Sequence, residues 1–317
     1  MGASFSTRPG VQLLVVAATA VTLFIAAAYV PILGMPASLL APTPILLAAL
    51  RHGLRMGLLA LGLATVALSG LLGLPQGFLF CSEYGVMAMV MARSIQEQHS
   101  AEKTLFLAST VPLLVSGIVL GALLWSAQPD LAAMRGQLEE RLAQAMQLYL
   151  KDYENISAAQ ILQLTKDTLD LILRLLPALL LISSAAGALL NYSMARLLWH
   201  RLGGSPPFRG TSLAGWRAPD VCIWILIAGG ILFFLPTSFV SSAGLNLLLL
   251  VGLLYMIQGV GIVVFYLRKG GVPVMFRWLA YLFFVIQPLL LLGVAALGLF
   301  DFWFDFRRLH HRKEEPR

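Results

Sequence analysis

Charged side chains are absent from six long stretches of the chain, and each stretch is rich in leucine, alanine or valine. An α-helix needs about 20 apolar residues to cross a hydrocarbon core about 30 Å thick. The first and fifth stretches are long enough for two passes each, with prolines or glycines between the passes. The pattern predicts an all-α, polytopic transmembrane helical bundle. The uncharged stretches are residues 9–50, 56–82, 104–129, 175–195, 221–267 and 278–300.

Eight or nine membrane spans are predicted from these stretches. The segment at 38–50 is short and proline-rich, so it is predicted either to span the membrane or to re-enter it as a half-helix. A half-helix needs protein or water to satisfy its backbone. The predicted spans are 11–31, 38–50, 56–74, 77–92, 104–126, 172–195, 219–237, 244–267 and 278–299.

A polar insert at residues 127–174 separates two apolar halves of the chain. Ser157 followed by Gln160 has the spacing of a capping box, which predicts the start of a helix. We expect an extracytoplasmic amphipathic helical hairpin that lies on the membrane or packs on the bundle. It is predicted to serve as a plain connector, with a partner-binding or lid role as the alternative. Its apolar stripe recurs at helical spacing and consists of Leu131, Met134, Leu138, Leu142, Ala145 and Tyr149.

The insert divides the chain into four predicted segments. Residues 1–126 form an N-terminal membrane bundle, 127–174 the insert, 175–300 a C-terminal membrane bundle and 301–317 a basic tail.

Composition supports a lipid environment. Hydrophobic residues make up 59% of the chain, charged residues 12%, and the mean hydropathy is +0.83. Soluble domains carry about 25% charged residues, so too few charges are present to cover a water-facing surface. The net charge of +7 resides mainly in loops, where basic residues indicate the cytoplasmic side and anionic headgroups. We therefore expect a multi-pass integral membrane protein that does not bind nucleic acid.

Sequence motifs of common enzymes are missing. The chain contains no GxxxxGK[ST] phosphate loop, no HExxH, no GxSxG and no GxGxxG followed by an acid. Cys81 and Cys222 both lie in apolar stretches and do not form a CxxC pair. These features predict a non-enzymatic protein without a metal site or cofactor.

Glu83 is the residue that most strongly suggests a functional site. It lies within an apolar segment, where a carboxylate is costly unless it is paired, protonated or solvated. One interpretation is a ligand, cation or proton contact that faces the bundle interior. The other is a charge near the membrane boundary that reaches out to water.

Two glutamines are further candidates for ligand binding. Gln258 lies well inside its predicted span, and Gln287 precedes Pro288. Asn191 and Asn246 also lie in apolar segments, where amides most often bond one helix to another.

Small residues recur every four positions at Ala18, Thr22 and Ala26 on the predicted first helix. Such a stripe permits close helix approach. It is predicted to serve packing within the chain first and docking of a partner helix second.

The end of the last predicted span carries an unusual motif that includes Asp301, Trp303, Asp305 and Arg307. Its aromatic residues suit a membrane interface. The acids lie one helical turn apart and Arg308 follows, so an ion-paired surface turn is predicted. Contact of the acids with a partner's basic loop is the alternative.

Several local features resemble the YybS-like family of bacterial multi-pass membrane proteins. They are the segments 29–34, 42–44, 51–57, 258–259 and, most specifically, 298–307. The resemblance implies a distant similarity to the substrate-binding subunits of energy-coupling-factor transporters. Those subunits bind a small solute, dock through small residues of their first helix and rely on partner subunits for ATP hydrolysis.

The sequence therefore suggests two functional hypotheses. The first is a small-solute-binding or transport-related subunit that lacks its own ATPase and relies on coupling partners. The alternative is a non-transporting membrane scaffold for cell-envelope machinery.

Overall fold

All regular secondary structure in the described part of the chain is helical. The computed structural model describes residues 9–30, 33–150, 157–201, 208–209, 215–277, 279, 283 and 287–307. The main helices, in chain order, are α1 Pro9–Tyr29, α2 Gly34–Ser38, α3 Pro42–His52, α4 Leu54–Leu72, α5 Leu74–Leu79, a π-helix at Phe80–Gly85, α6 Val86–Gln96, α7 Ala101–Ala127, α8 Leu131–Leu150, α9 Ala158–Arg201, α10 Val221–Phe233, α11 Ser238–Lys269 and α12 Pro288–Phe304.

Within the described residues, six helices are long and apolar enough to cross a membrane. The prediction of a polytopic helical protein is confirmed at this level, and the larger count of eight or nine spans stays a prediction. Two further apolar helices, Val221–Phe233 and Leu289–Phe304, are shorter. The six long helices are Pro9–Tyr29, Leu54–Leu72, Leu74–Gln96, Ala101–Ala127, Ala159–Arg201 and Ser238–Lys269.

The chain folds into two compact units that are not contiguous in sequence. The first unit comprises residues 1–131 and 180–210, and the second comprises 132–179 and 211–317. Helix α9 contributes its second half to the first unit and its first half to the second. The division into four consecutive segments stays a prediction.

The first unit packs through small side chains, which allow helices to approach closely. Its short helix α3 has 11 residues, a length of about 16 Å that falls well short of a bilayer core. Six of those residues are buried, so α3 lies largely inside the first unit. Whether residues 38–50 span the membrane or re-enter it stays a prediction. Buried alanines of this unit include Ala17, Ala20, Ala49, Ala60, Ala64, Ala88 and Ala92.

Asn191 of α9 holds the break between α2 and α3. Its Oδ1 accepts a hydrogen bond from Thr43 Oγ1 at 2.7 Å, and its Nδ2 donates to the Leu39 carbonyl at 2.8 Å. A second donation reaches the carbonyl of Gly187. Polar groups at the interruption between α2 and α3 are thus hydrogen-bonded to a side chain of another helix. Irregular backbone inside a membrane requires such partners.

The second unit contains a tightly packed antiparallel arrangement of α10, α11 and α12. Gly259 on α11 faces the Val294 carbonyl of α12, and Gly298 on α12 faces the Tyr255 carbonyl of α11. A Cβ atom at either glycine would overlap the opposing carbonyl oxygen. Glycine is therefore required at both crossing points.

The insert forms two helices that contact each other within the second unit. Arg135 of α8 bonds to Asp170 of α9 at 2.8 Å, and Thr165 Oγ1 donates to Met146 Sδ at 3.3 Å. The predicted capping box is confirmed, because the Ser157 N–H donates to Gln160 Oε1 at 2.8 Å and the Gln160 N–H donates to Ser157 Oγ at 3.3 Å.

The predicted apolar stripe of the insert faces outward along much of α8. Leu131, Met134 and Leu138 are exposed, whereas Leu142 is half-buried. The extracytoplasmic location of the hairpin and its membrane contact stay predictions.

A proline in α9 is compensated by an asparagine from another helix. Pro177 has no N–H and its ring disturbs the preceding turn. Asn246 of α11 accepts a hydrogen bond from the Ala178 N–H at 2.8 Å and donates to the Arg174 carbonyl at 2.7 Å. Its amide bridges the two groups that would pair directly in a regular α-helix.

Replacing Asn246 with alanine is expected to lower the free energy of unfolding by about 1–3 kcal/mol, because Ala178 and Arg174 lose their partner. Thermal unfolding of the detergent-solubilised protein measures the change. In a Pro177→Ala background the helix can form its own hydrogen bond, so the same substitution should have much less effect. An equal loss in both backgrounds would show that the bridge is not the cause.

Candidate functional site

A π-turn interrupts the third of the long apolar helices. The span Leu74–Gln96 contains six π-helical residues, Phe80–Gly85, and the N–H of Val86 donates to the Cys81 carbonyl five positions earlier. Glu83 lies inside this turn. Short π-turns within α-helices occur frequently at functional sites.

The π-turn keeps two glycines on the same face of the helix. A Cβ atom on Gly77 would meet Ser69 Oγ of α4, and one on Gly85 would meet the side chain of Leu61 of α4. Positions 77 and 85 of a regular α-helix would point about 80° apart. The extra residue that the π-turn accommodates brings both toward α4, and it thereby also sets the direction in which Glu83 points.

The Glu83 carboxylate bonds to serines on two other long helices. Its Oε1 accepts from Ser184 Oγ of α9 at 3.1 Å. Its Oε2 accepts from Ser116 Oγ of α7 at 3.4 Å. Three candidate membrane spans therefore converge on one carboxylate within the first unit.

No cation neutralises this carboxylate in the described part of the chain, where no Lys, Arg or His nitrogen lies within 4.0 Å of Glu83. The side chain is half-buried and Ser184 is buried. Two neutral hydroxyl donors stabilise the ionised form only in part, because a carboxylate offers about four acceptor positions. The site can therefore accept a further donor or a positive charge.

An aromatic cluster fixes the opposite side of the π-turn. The ring of Phe24 on α1 makes edge contacts with Phe80 and Tyr84 at centroid distances of 5.3 and 5.4 Å. Phe80 and Tyr84 stack at 6.0 Å. These contacts hold the turn against α1 while Glu83 bonds to α7 and α9.

The second unit contains a buried ion pair that the sequence analysis did not anticipate. Arg307 Nη2 lies 2.8 Å from Asp301 Oδ2, and the two side chains are 0% and 1% exposed. Arg307 Nη1 also donates to the Trp216 carbonyl at 2.9 Å. The pair fixes the turn after α12 against the segment that precedes α10.

Gln258 belongs to the same network. Its Nε2 donates to Asp301 Oδ2 at 2.9 Å, and its Oε1 accepts from the Ala218 N–H at 2.9 Å. The remaining Asp301 oxygen accepts from the Phe306 N–H at 2.8 Å. Gln258 is 1% exposed, so the structure places this predicted ligand residue inside a structural network.

The prediction of a surface turn at the end of α12 is therefore wrong for Asp301, and Arg307 of the same motif is buried with it. Asp301 and Arg307 are buried together, because an acid and a base that leave water need each other as partners. Trp303 is exposed, as an interfacial residue should be. Asp305 ends the helix with φ +39°, and Arg308 lies outside the described residues.

The other predicted residues occupy separate places. Gln287 is exposed at the N-terminus of α12 and belongs to the second unit, whereas Glu83 belongs to the first. Ala18 and Thr22 are exposed on α1 and Ala26 is half-buried. In the described ranges, no group of three or more His, Cys, Asp or Glu residues could hold a metal ion.

Sequence reasoning identified Glu83 but missed both serines. Ser116 and Ser184 lie 33 and 101 positions from Glu83, and each stands among other small residues of an apolar helix. Because neither serine lies near Glu83 in the sequence, no local motif links these hydroxyls to the carboxylate.

Comparison with known proteins places the chain in a family. A family model described as predicted membrane protein (DUF2232) matches residues 18–302. Neither the curated proteins nor the solved structures contained a match. The family description agrees with the six long apolar helices and supports a membrane protein. The resemblances to the YybS-like family and to substrate-binding subunits of energy-coupling-factor transporters stay predictions. The chain belongs to the DUF2232 family of predicted membrane proteins.

Proposed function

We propose that this protein is a small-solute-binding, transport-related membrane subunit whose solute contacts Glu83 inside the first unit. The observation that carries the proposal is the convergence of Ser116 and Ser184 on a carboxylate that has no basic partner among the described residues. Ionisable residues inside membrane spans commonly mark substrate or ion pathways.

Comparison with the other interior polar residues supports the choice of Glu83. The amides of Asn191, Asn246 and Gln258 each bond to at least two groups of neighbouring segments, and these bonds repair helix breaks or hold an ion pair. Such residues are structural. The Glu83 carboxylate accepts two hydrogen bonds from neutral hydroxyls and keeps acceptor positions for a solute.

Energy for transport would come from partners. The sequence contains no phosphate loop, and its resemblance to the YybS-like family suggests a relation to substrate-binding subunits that borrow an ATPase. The exposed face at Ala18 and Thr22 is available for a coupling subunit in that arrangement. The resemblance to bacterial membrane proteins favours the bacterial cytoplasmic membrane as the location, and the basic loops indicate the cytoplasmic side.

Solute binding at Glu83 is tested by thermal unfolding of the purified full-length protein with fractions of a bacterial metabolite extract. At least one fraction should raise the unfolding midpoint of the wild type, because a ligand that binds only the folded state stabilises it. The Glu83→Gln protein should lose that response while it stays folded.

Ser183→Ala is the matched control, since Ser183 adjoins Ser184 but is exposed and bonds to its own helix. It should respond as the wild type does. If every fraction leaves the wild type unchanged and envelope proteins co-purify instead, the scaffold function is favoured.

A further inference from the structure

The set of atoms around Glu83 indicates what kind of species fits there. Each hydrogen-bonding partner of the carboxylate in the described residues is a hydroxyl oxygen, from Ser116 or Ser184. Oxygen-only surroundings are those that hard cations prefer, whereas soft metals prefer sulfur and nitrogen. The two hydroxyls approach different carboxylate oxygens and come from different helices.

Charge balance then selects a single positive charge. An ionised carboxylate that has no basic partner among the described residues carries a charge of −1, and an unbalanced charge in a low-dielectric interior is costly. A monovalent cation makes the site neutral. A divalent cation would leave a net charge of +1 in the same place.

The distances are compatible with a small cation that shares these oxygens. The hydroxyl–carboxylate separations of 3.1 and 3.4 Å exceed the usual O–H···O distance of about 2.7–2.8 Å. Two oxygens that each lie about 2.4 Å from a hard cation, at right angles to each other, are about 3.4 Å apart. Rotation of the serine hydroxyls alone would turn their lone pairs toward such an ion.

We propose that Glu83, Ser116 and Ser184 form a binding site for one Na⁺ ion, which acts as a co-ligand of the solute. This inference rests on the proposed role of Glu83 as the interior ligand-binding residue. It extends that role, because solute affinity would then depend on the sodium concentration. A proton, the other species of single charge, would bind only one of the two carboxylate oxygens, and an unfolding midpoint that follows pH alone would identify it.

Thermal unfolding of the full-length protein in NaCl, KCl and N-methylglucamine chloride of equal ionic strength, at pH 8 and without solute, tests the proposal. NaCl should raise the midpoint of the wild type and of Ser183→Ala, and the other two salts should not. In Ser184→Ala the sodium concentration for half the effect should rise about tenfold, because one ligand oxygen is lost. Glu83→Gln should show no sodium-specific shift.

A second measurement covers the case in which a variant unfolds. Binding of radioactive ²²Na⁺ to the wild-type protein should saturate near one ion per chain and should resist competition by an equal concentration of K⁺. Equal effects of Na⁺ and K⁺, a midpoint that follows pH alone, or a sodium shift that survives in Glu83→Gln would each overturn the cation site.

The two proposals fail in different ways. Solute stabilisation that requires Glu83 but ignores sodium would overturn the cation site and leave the solute-binding function standing. A sodium effect that requires Glu83, with no response to any solute, would support the ion site and contradict the solute-binding function.

Discussion

Replacing Arg307 with methionine is expected to lower the free energy of unfolding by about 3–5 kcal/mol. The substitution keeps a long side chain but leaves the fully buried Asp301 carboxylate without its cation. It also removes the donor to the Trp216 carbonyl. Chemical unfolding in mixed micelles, followed by tryptophan fluorescence, measures the change.

A double variant separates the ion pair from general loss of packing. Asp301→Asn combined with Arg307→Met removes both charges and should recover part of the lost stability, because no unpaired charge is left inside. Asp220→Asn is the control, since Asp220 is exposed and lies 3.7 Å from Arg217; it should cost less than about 1 kcal/mol. An Arg307→Met protein as stable as the Asp220→Asn protein would contradict the buried network.

Gly259→Val is expected to destabilise the packing of α11 on α12 by about 3 kcal/mol or more. Any Cβ atom at this position overlaps the Val294 carbonyl oxygen. The obstacle is backbone, which cannot rotate away as a side chain can, so the two helices must separate and give up contacts. The expected result is a lower unfolding midpoint and a lower yield of monodisperse protein.

Gly252→Ala on the same helix provides the control. A Cβ atom there meets nothing within 4 Å, so the alanine should be neutral or should stabilise the helix by up to about 1 kcal/mol. If Gly259→Val and Gly252→Ala unfold at the same midpoint, the close crossing of α11 and α12 is not required for stability.

The sequence predicted those parts of the fold that depend on local patterns. Long uncharged stretches identified the apolar helices, because a helix in lipid needs a continuous apolar surface. The spacing of Ser157 and Gln160 predicted the start of α9 through contacts three residues apart. The prolines at 42 and 44 suggested a short helix within residues 38–50, and α3 begins at Pro42 and has 11 residues.

Contacts between distant segments could not be predicted in this way. Asp301 has aromatic neighbours and Asp305 within about one turn, with basic residues just beyond, and this local pattern suggested an exposed motif. Its actual partners include Gln258, which lies 43 positions away. Asn246 was recognised as an amide that could bond one helix to another, but its partners beside Pro177 depend on the packing of α9 against α11.

At the candidate site, too, the sequence predicted the local feature but not the contacts between helices. A carboxylate in an apolar segment is visible in the sequence, so Glu83 was predicted. The direction of its side chain depends on a π-turn, and the only sequence sign of that turn is the eight-residue spacing of Gly77 and Gly85. The serines that donate hydrogen bonds to Glu83 lie on other helices. Their proximity to the carboxylate depends on the tertiary packing of the first unit.

Native mass spectrometry of the protein released from detergent tests the central claim, that Glu83 contacts a bound species inside a membrane-embedded unit. The wild type and Ser183→Ala should each carry an additional small mass at low collision energy, after incubation with the stabilising extract fraction and NaCl. Glu83→Gln, prepared in the same way, should appear only at the mass of the bare chain. An identical additional mass on Glu83→Gln, or bare chains in all three samples, would contradict the claim.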